Sequence, residues 1–327
     1  MKTVYLTENP SLELMRLGAY PRPSAPSTLA IGELACRARG VRDIRPLLRV
    51  SSILPLLPLP YRIFVPAKAD RRPSKLVNCQ VIPPVRGGVD FIELDECCKG
   101  LSPEMTYILF CRAKPLALRA QLGLELCGTY ATAPEHYPEM ATQYDPEPLT
   151  NVSSITAALE RFVREPDSIA ARQALHYVQN KSASPMESAL LLLLCLPPAE
   201  GEYGLPIPER NADLPIIAYL GQQHDEKTRY GDLVYREAQL VLEYQSLLYH
   251  DEPGSKHADE DRRDDIEAMG YTVMFITPER LQDFDCFEGI VQRIAHHLGL
   301  APACVPLGLT PEKRSLRRLL LPASWNV

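Results

Sequence analysis

Apolar positions recur along this chain with two different periods, and the changes of period mark its elements. Tyr61–Val65, Leu76–Ile82 and Val89–Leu94 are short β-rich runs broken by Pro-Pro and Gly-Gly, which predict a small sheet. Ser102-Pro103-Glu104 then opens a helix, with serine as cap and proline at the first helical position. That helix should run to about Arg112, and a second should span about 115–127. Ile155, Ala158, Leu159 and Phe162 fall at helical spacing, a further helix fits 168–179, and Ser184-Pro185-Met186-Glu187 repeats the serine–proline start. The rest reads as strands over 214–220, 230–235 and 239–246, a helix over 257–269, a strand over 271–277 and a helix over 285–299. The last helix carries Phe287, Ile290, Val291, Ile294, Ala295 and Leu298 on one stripe. Residues 1–60 are weakly periodic, with a short helix expected from Ala30 to Arg39.

This order predicts an α/β protein in two parts: a separate N-terminal α+β region and a C-terminal mixed sheet flanked by helices. Residues 132–151 hold four prolines and few large aliphatic side chains, and read as the linker. The parts are then 1–131, the linker 132–151, a domain over 152–300 with a helical lead-in, and a basic tail over 301–327. A length of 327 residues suits about two domains. A hydrophobic content of 46% and a charged content of 23% are those of a soluble globular protein. The longest apolar stretch, Ala189–Leu196, is too short to span a bilayer, and Met1–Pro10 lacks a signal peptide's apolar core. A cytoplasmic protein with no membrane partner is therefore expected. Its nine scattered cysteines include no Cys-x-x-Cys, so all are expected as thiols, most of them buried.

The net charge of −6 is unevenly spread. Residues 1–131 carry 18 Lys and Arg against 11 Asp and Glu, whereas residues 209–299 carry 9 against 19. Residues 300–327 are basic again, with 4 against 1. Arg37, Arg39, Arg42, Arg45 and Arg49 form the densest basic cluster. A basic front half fits contact with a polyanion, DNA in particular; attraction between the halves or simple solvation would leave the same pattern.

Candidate chemistry concentrates in Gly231–Gln245. Strand side chains alternate faces, so Glu243 and Gln245 point one way, and Asp232 reaches that face if the two runs pair as a hairpin. Glu243 sits inside the apolar run Leu240–Tyr244, where an unpaired buried carboxylate would cost several kcal/mol. It must face a cleft or have a partner. Two carboxylates converging at a sheet rim make a hard-oxygen site for Mg²⁺ or Mn²⁺, suited to phosphodiester hydrolysis. Plainer roles stay open: Asp232 as a turn acid, Glu187 as a helix cap, and the 259–267 charge run as a solvated helix face.

Residues 185–299 resemble the PD-(D/E)xK endonuclease superfamily in its very-short-patch-repair-like branch. The resemblance lies in order: Glu187 on a helix, Asp232 on a strand, Glu243-x-Gln245 on the next, His250, Asp259-x-x-Arg262, then Gly270-Tyr271 before a strand. It implies a restriction-endonuclease-like domain in which Asp232, Glu243 and the Tyr244 carbonyl hold one Mg²⁺ (or Mn²⁺). Gln245 would orient the attacking water, and Glu187 would act through a bridging water or on a second metal. His250 would shuttle a proton or contact phosphate, and Arg262 and Arg263 would bind phosphate. Asp259 could instead pair with Arg262. The sequence departs from the pattern at Gln245, where lysine or an acid is usual, and at Ser246, where glycine is common. Glutamine can hold a water but supplies neither a base nor a charge. The N-terminal half resembles the partner region of abortive-infection antitoxin-like proteins through Ser102-Pro103-Glu104 and Leu124–Tyr130. Three functions are consistent with this reading: a metal-dependent DNA endonuclease, a catalytically inactive nuclease-fold DNA-binding regulator, and a protein-docking module using 189–196.

Overall fold

The computed structural model describes residues 2–21, 26–30, 34, 37–112, 114–162, 166–215, 228–245 and 255–322. The chain forms two compact units, Met1–Val178 and Gln179–Val327. The protein is mixed α/β, as its periodicities predict.

The first unit runs β1 (Val4–Tyr5), α1 (Glu8–Arg16), β2 (Ser27–Leu29), α2 (Val41–Leu47), β3 (Tyr61–Val65), β4 (Val77–Val81), β5 (Val89–Asp95) and β6 (Cys98–Leu101). It continues with α3 (Pro103–Phe110), α4 (Leu116–Leu126), β7 (Tyr130–Ala131), β8 (Gln143–Tyr144), α5 (Val152–Glu160) and α6 (Pro166–Leu175). One sheet has the order β1-β6-β5-β2, and β3 and β4 form a separate parallel pair. Ser102 caps α3 as expected, its Oγ accepting the Met105 N–H at 3.2 Å.

The Pro-rich stretch is part of this unit. Its strands β7 and β8 pair antiparallel, and Glu13 of α1 accepts the N–H groups of Glu135 at 2.9 Å and His136 at 3.3 Å. Glu125 anchors Thr132 in the same way, at 3.0 Å to its N–H. Prolines remove donors and break periodicity, so the stretch reads as a linker; two buried acids on helices that flank it earlier in the chain hold it instead. The division falls after Val178 rather than within 132–151, and α5 and α6 pack with α3 and α4. Helix α1 was hidden by its buried polar members Ser11 and Glu13.

The second unit runs α7 (Pro185–Cys195), β9 (Glu209–Pro215), β10 (Thr228–Tyr235), β11 (Leu240–Tyr244), α8 (Ser255–Ala268), β12 (Thr272–Ile276), α9 (Pro278–Gln282), α10 (Phe284–His297) and α11 (Pro311–Leu320). Its sheet has the order β12-β11-β10-β9, antiparallel at β9/β10 and β10/β11 and parallel at β11/β12. The parallel step is the crossover through α8. Val234, Val241, Ile266 and Val273 form a core between α8 and one sheet face, with Met269, Tyr271 and Phe275 packed against it. Strand β9 starts five residues before the expected 214; residues 216–220 lie outside the described residues.

One expectation about this unit changes. Ala189–Leu196 are all buried in and just after α7, so the apolar run is core and offers no docking patch. Within the basic tail over 301–327, whose form the sequence leaves open, residues 311–320 are a helix. Lys313 and Arg317 are buried at 2% and 3% exposure. The Lys313 ammonium lies 3.9 Å from the Tyr203 ring centroid and 3.1 Å from Glu288 Oε1, and donates to the Pro306 carbonyl at 2.6 Å. Arg317 donates to the carbonyls of Leu281 and Gln282. A cation so placed is satisfied by aromatic faces, an acid and carbonyls together.

Among the described residues no helix is long and apolar enough to cross a membrane. Eight described cysteines are free thiols, six of them buried; Cys36 lies outside the described residues.

Candidate functional site

The site grows out of the β10–β11 hairpin. Leu233 pairs with Leu242, Val234 with Val241 and Tyr235 with Leu240. Asp232 immediately precedes Leu233 and Glu243 immediately follows Leu242, the last pair of the hairpin. Alternation along β11 puts Val241 and Glu243 on one face, and Val234 and Val241 pack under Ile266 of α8. The hydrophobic pairs that seal the hairpin to α8 thus deliver both acids to the same rim.

Each acid has a fixed contact. Asp232 Oδ2 accepts the Tyr244 backbone N–H at 2.8 Å, so the side chain takes a hydrogen bond at the end of the ladder. Glu243 Oε2 accepts from Arg262 Nη2 at 2.7 Å. Arg262 lies one helical turn before Ile266, and the same nitrogen donates to the Tyr230 carbonyl at 2.5 Å. Glu243 is 7% exposed, and its second oxygen, Oε1, is buried with no hydrogen-bond partner among the described residues.

A third acid comes from α7. Ser184 Oγ accepts the Glu187 N–H at 3.1 Å, which fixes the first turn. Glu187 is 8% exposed, its Oε2 has no hydrogen bond, and Arg210 Nη2 of β9 lies 3.8 Å from that oxygen. Arg210 has a fully buried side chain and donates to Ser182 Oγ at 2.6 Å, while Ser182 Oγ is 2.6 Å from Ser188 Oγ.

These acids feel one another. Burial, and next the charge of Glu187, push the Asp232 carboxyl well above its ordinary value; the Tyr244 N–H, Arg262 and Arg210 pull the other way. Burial, and next the charge of Asp232, raise Glu243, with Arg262 opposing and Glu187 adding to the rise. Like charges directly across a strand pair repel. A cluster of this kind must hold a proton, an internal cation or a bound cation. Here Arg262 and Arg210 supply the internal cations.

Of the residues predicted from sequence, the structure brings Asp232, Glu243, Glu187, Tyr244 and Arg262 together. Gln245 follows at the end of β11, half-buried, its backbone N–H donating to the Ile276 carbonyl at 3.0 Å. Arg263 stands apart: its Nε donates to Glu267 at 2.7 Å on the exposed side of α8. Residues three or four apart share a helix face, but neighbours do not, so one arginine of the pair reaches the site. His250 and the side chain of Asp259 lie outside the described residues. Sequence reading missed Arg210 and Ser182. The only signal was a charge in Glu209-Arg210, within a segment that otherwise reads as a loop.

The donor set suits a hard divalent cation. Mg²⁺ is commonly held by one or two carboxylates, with waters and substrate phosphate completing its shell, and among the described residues one buried oxygen of Glu243 has no hydrogen bond. Among the described residues, no three His, Cys, Asp or Glu side chains form a ready metal-binding group. Asp232 and Glu243 are the pair that would hold such an ion.

Fold and site thus define a mixed α/β protein with a cross-strand carboxylate pair countered by arginine. Two proteins from strains of Mycobacterium tuberculosis, both described as uncharacterized, are each 27% identical to this chain over 134 residues. That stretch is 41% of this chain and 44% of each relative, so the chain spans less than half the length of the curated relatives it matches. No family model matches the chain. No solved structure matches it.

Proposed function

We propose that the second unit is a divalent-metal-dependent phosphodiesterase of the restriction-endonuclease-like kind, acting on DNA. The observation that carries this reading is the Asp232–Glu243 pair: two acids at the end of one hairpin, with a buried oxygen of Glu243 that has no hydrogen bond among the described residues. The pair stands on β10 and β11, the two central strands of a mixed sheet whose last, parallel strand follows α8. Asp232 and Glu243 would hold Mg²⁺ or Mn²⁺, with the Tyr244 carbonyl beside them. The ion's contribution is to acidify a bound water and stabilise charge on phosphate. Gln245 would position that water by hydrogen bonding. Glu187, held near Arg210, would tune the charge of the pair. In the first unit, exposed Arg42, Arg45 and Arg49 on and just after α2 would track a phosphate backbone.

The test is cleavage of supercoiled plasmid by the full chain in Mg²⁺ and in Mn²⁺. Nicking that disappears in Asp232→Asn and in Glu243→Gln supports the reading. Intact plasmid under all conditions, or nicking that both variants retain, sinks it.

A second reading is favoured by Gln245, which offers no base, and by the Arg262–Glu243 ion pair, which already neutralises the acid. In it the protein is a nuclease-fold DNA-binding regulator that does not cut, with a cytoplasmic setting common to both readings. Salt-sensitive DNA binding that survives Glu243→Gln unchanged, without any nicking, distinguishes it.

A further inference from the structure

Arg262 donates to one oxygen of Glu243 at 2.7 Å, while the other oxygen is buried with no hydrogen bond among the described residues. Glu243 is more than nine-tenths buried, whereas the Arg262 side chain is 35% exposed. The acid cannot leave; the arginine can. Arg262 is also tied to the Tyr230 carbonyl, one residue before Gly231 and two before Asp232, so the guanidinium spans the same rim that a cation bound to the acid pair would share. A divalent cation on the other oxygen of Glu243 would lie close to the guanidinium, and the two positive charges would repel.

We propose that Arg262 is the resident counter-ion of the carboxylate pair, displaced when a divalent cation binds, and thereby freed to meet an anionic phosphodiester. Metal and arginine compete for Glu243, while metal and phosphodiester cooperate through the released guanidinium. The order of binding follows: cation first, phosphate second. This rests on the metal reading above and adds to it a built-in gate on α8. The free protein keeps its acid pair neutralised without metal, and the arginine that would clamp phosphate is unavailable until metal arrives. A guanidinium suits both partners, because its planar fork matches carboxylate and phosphate alike.

The experiment is calorimetric titration of Mn²⁺ into the full-length wild type, Arg262→Gln, Arg262→Lys and Asp232→Asn. It is run near pH 9, an alkalinity chosen so that the raised carboxyls are ionised. A contact closed about nine-tenths of the time weakens apparent affinity about tenfold. Arg262→Gln is therefore expected to bind Mn²⁺ about tenfold more tightly than wild type, with Arg262→Lys in between and Asp232→Asn lost. The same proteins, catalytically idle in Ca²⁺, are titrated with a short DNA duplex. Ca²⁺ should strengthen DNA binding in wild type and lose that effect in Arg262→Gln. Equal Mn²⁺ affinity in wild type and Arg262→Gln overturns the gate and leaves the metal site standing. No Mn²⁺ binding by any of the proteins overturns both. Retention of native circular dichroism by Arg262→Gln, on a half-exposed helix position, separates these outcomes from misfolding.

Discussion

At the scale of single residues, three buried acids are raised by burial, with different secondary causes. Glu202 is 2% exposed, and burial pushes its carboxyl up to about 9 against the pull of Lys313 and Arg317. It is therefore protonated in the folded protein at neutral pH, while the unfolded chain has lost that proton above its ordinary 4.5. Stability falls as pH rises through that interval, because the unfolded state gains charge that the folded state resists. Glu202→Gln, which keeps shape and hydrogen-bonding capacity, should flatten the fall and raise the melting temperature at pH 8 but not at pH 4. Equal pH slopes for variant and wild type would show that Glu202 ionises freely in place. Asp232 and Glu243 are also raised, and for the same first reason, but their second reason is each other and Glu187. Their cost also grows as pH rises above the ordinary carboxylate range, and a divalent cation should remove it. Mn²⁺ is thus expected to raise the melting temperature more at pH 8.5 than at pH 6, and Asp232→Asn to abolish the difference. The Glu243 position illustrates what could be read beforehand: an acid inside Leu240–Tyr244 had to have a partner. That the partner is Arg262 depended on α8 folding back over the hairpin.

At the scale of elements, helix starts were the most legible feature. Ser102 and Ser184, whose serine–proline signal is plain in the sequence, each cap a helix through a side-chain oxygen; Asn151, Thr277, Asp283 and Thr310 also cap helices, without having been legible as caps. Such caps are local chemistry, set by four consecutive residues. Ser184→Ala should cost about 1 kcal/mol and loosen the first turn, where Glu187 sits; its denaturation midpoint checks this. The elements that escaped notice carry polar residues whose partners are distant. Helix α1 buries Glu13, which serves the backbone of residues 135 and 136. Helix α11 buries Lys313 and Arg317, which reads as a solvated basic run until Glu288, Tyr203 and Phe287 surround it. Breaking a buried ion pair by removing one partner costs about 3 kcal/mol or more. Lys313→Met, which preserves bulk and deletes charge, should destabilise by about that amount, and pairing it with Glu288→Gln should recover part of it in a double-mutant cycle. A salt-dependent loss of DNA binding without loss of stability would instead return α11 to a nucleic-acid role.

At the scale of the whole molecule, the charge profile divides differently once partners are known. Arg37 and Arg39 both reach Asp70, which takes two members out of the basic cluster. Arg42, Arg45 and Arg49 remain exposed. Replacing these three by glutamine should reduce the slope of log affinity against log salt by up to about 3 for DNA, with little effect on Mn²⁺ binding; an unchanged slope would move the polyanion contact off α2. The sequence by itself determined the α/β class, the Ser102 and Ser184 helix starts and the β10–β11 hairpin, because each depends on neighbours within a few residues. Tertiary structure alone decided that the Pro-rich stretch belongs to the first unit, that Arg262 rather than Arg263 meets Glu243, and that Arg210 stands behind Glu187. Those contacts join residues from 19 to more than 120 positions apart. They are set by which charges become buried together, a property that no local pattern of hydrophobic and polar positions contains.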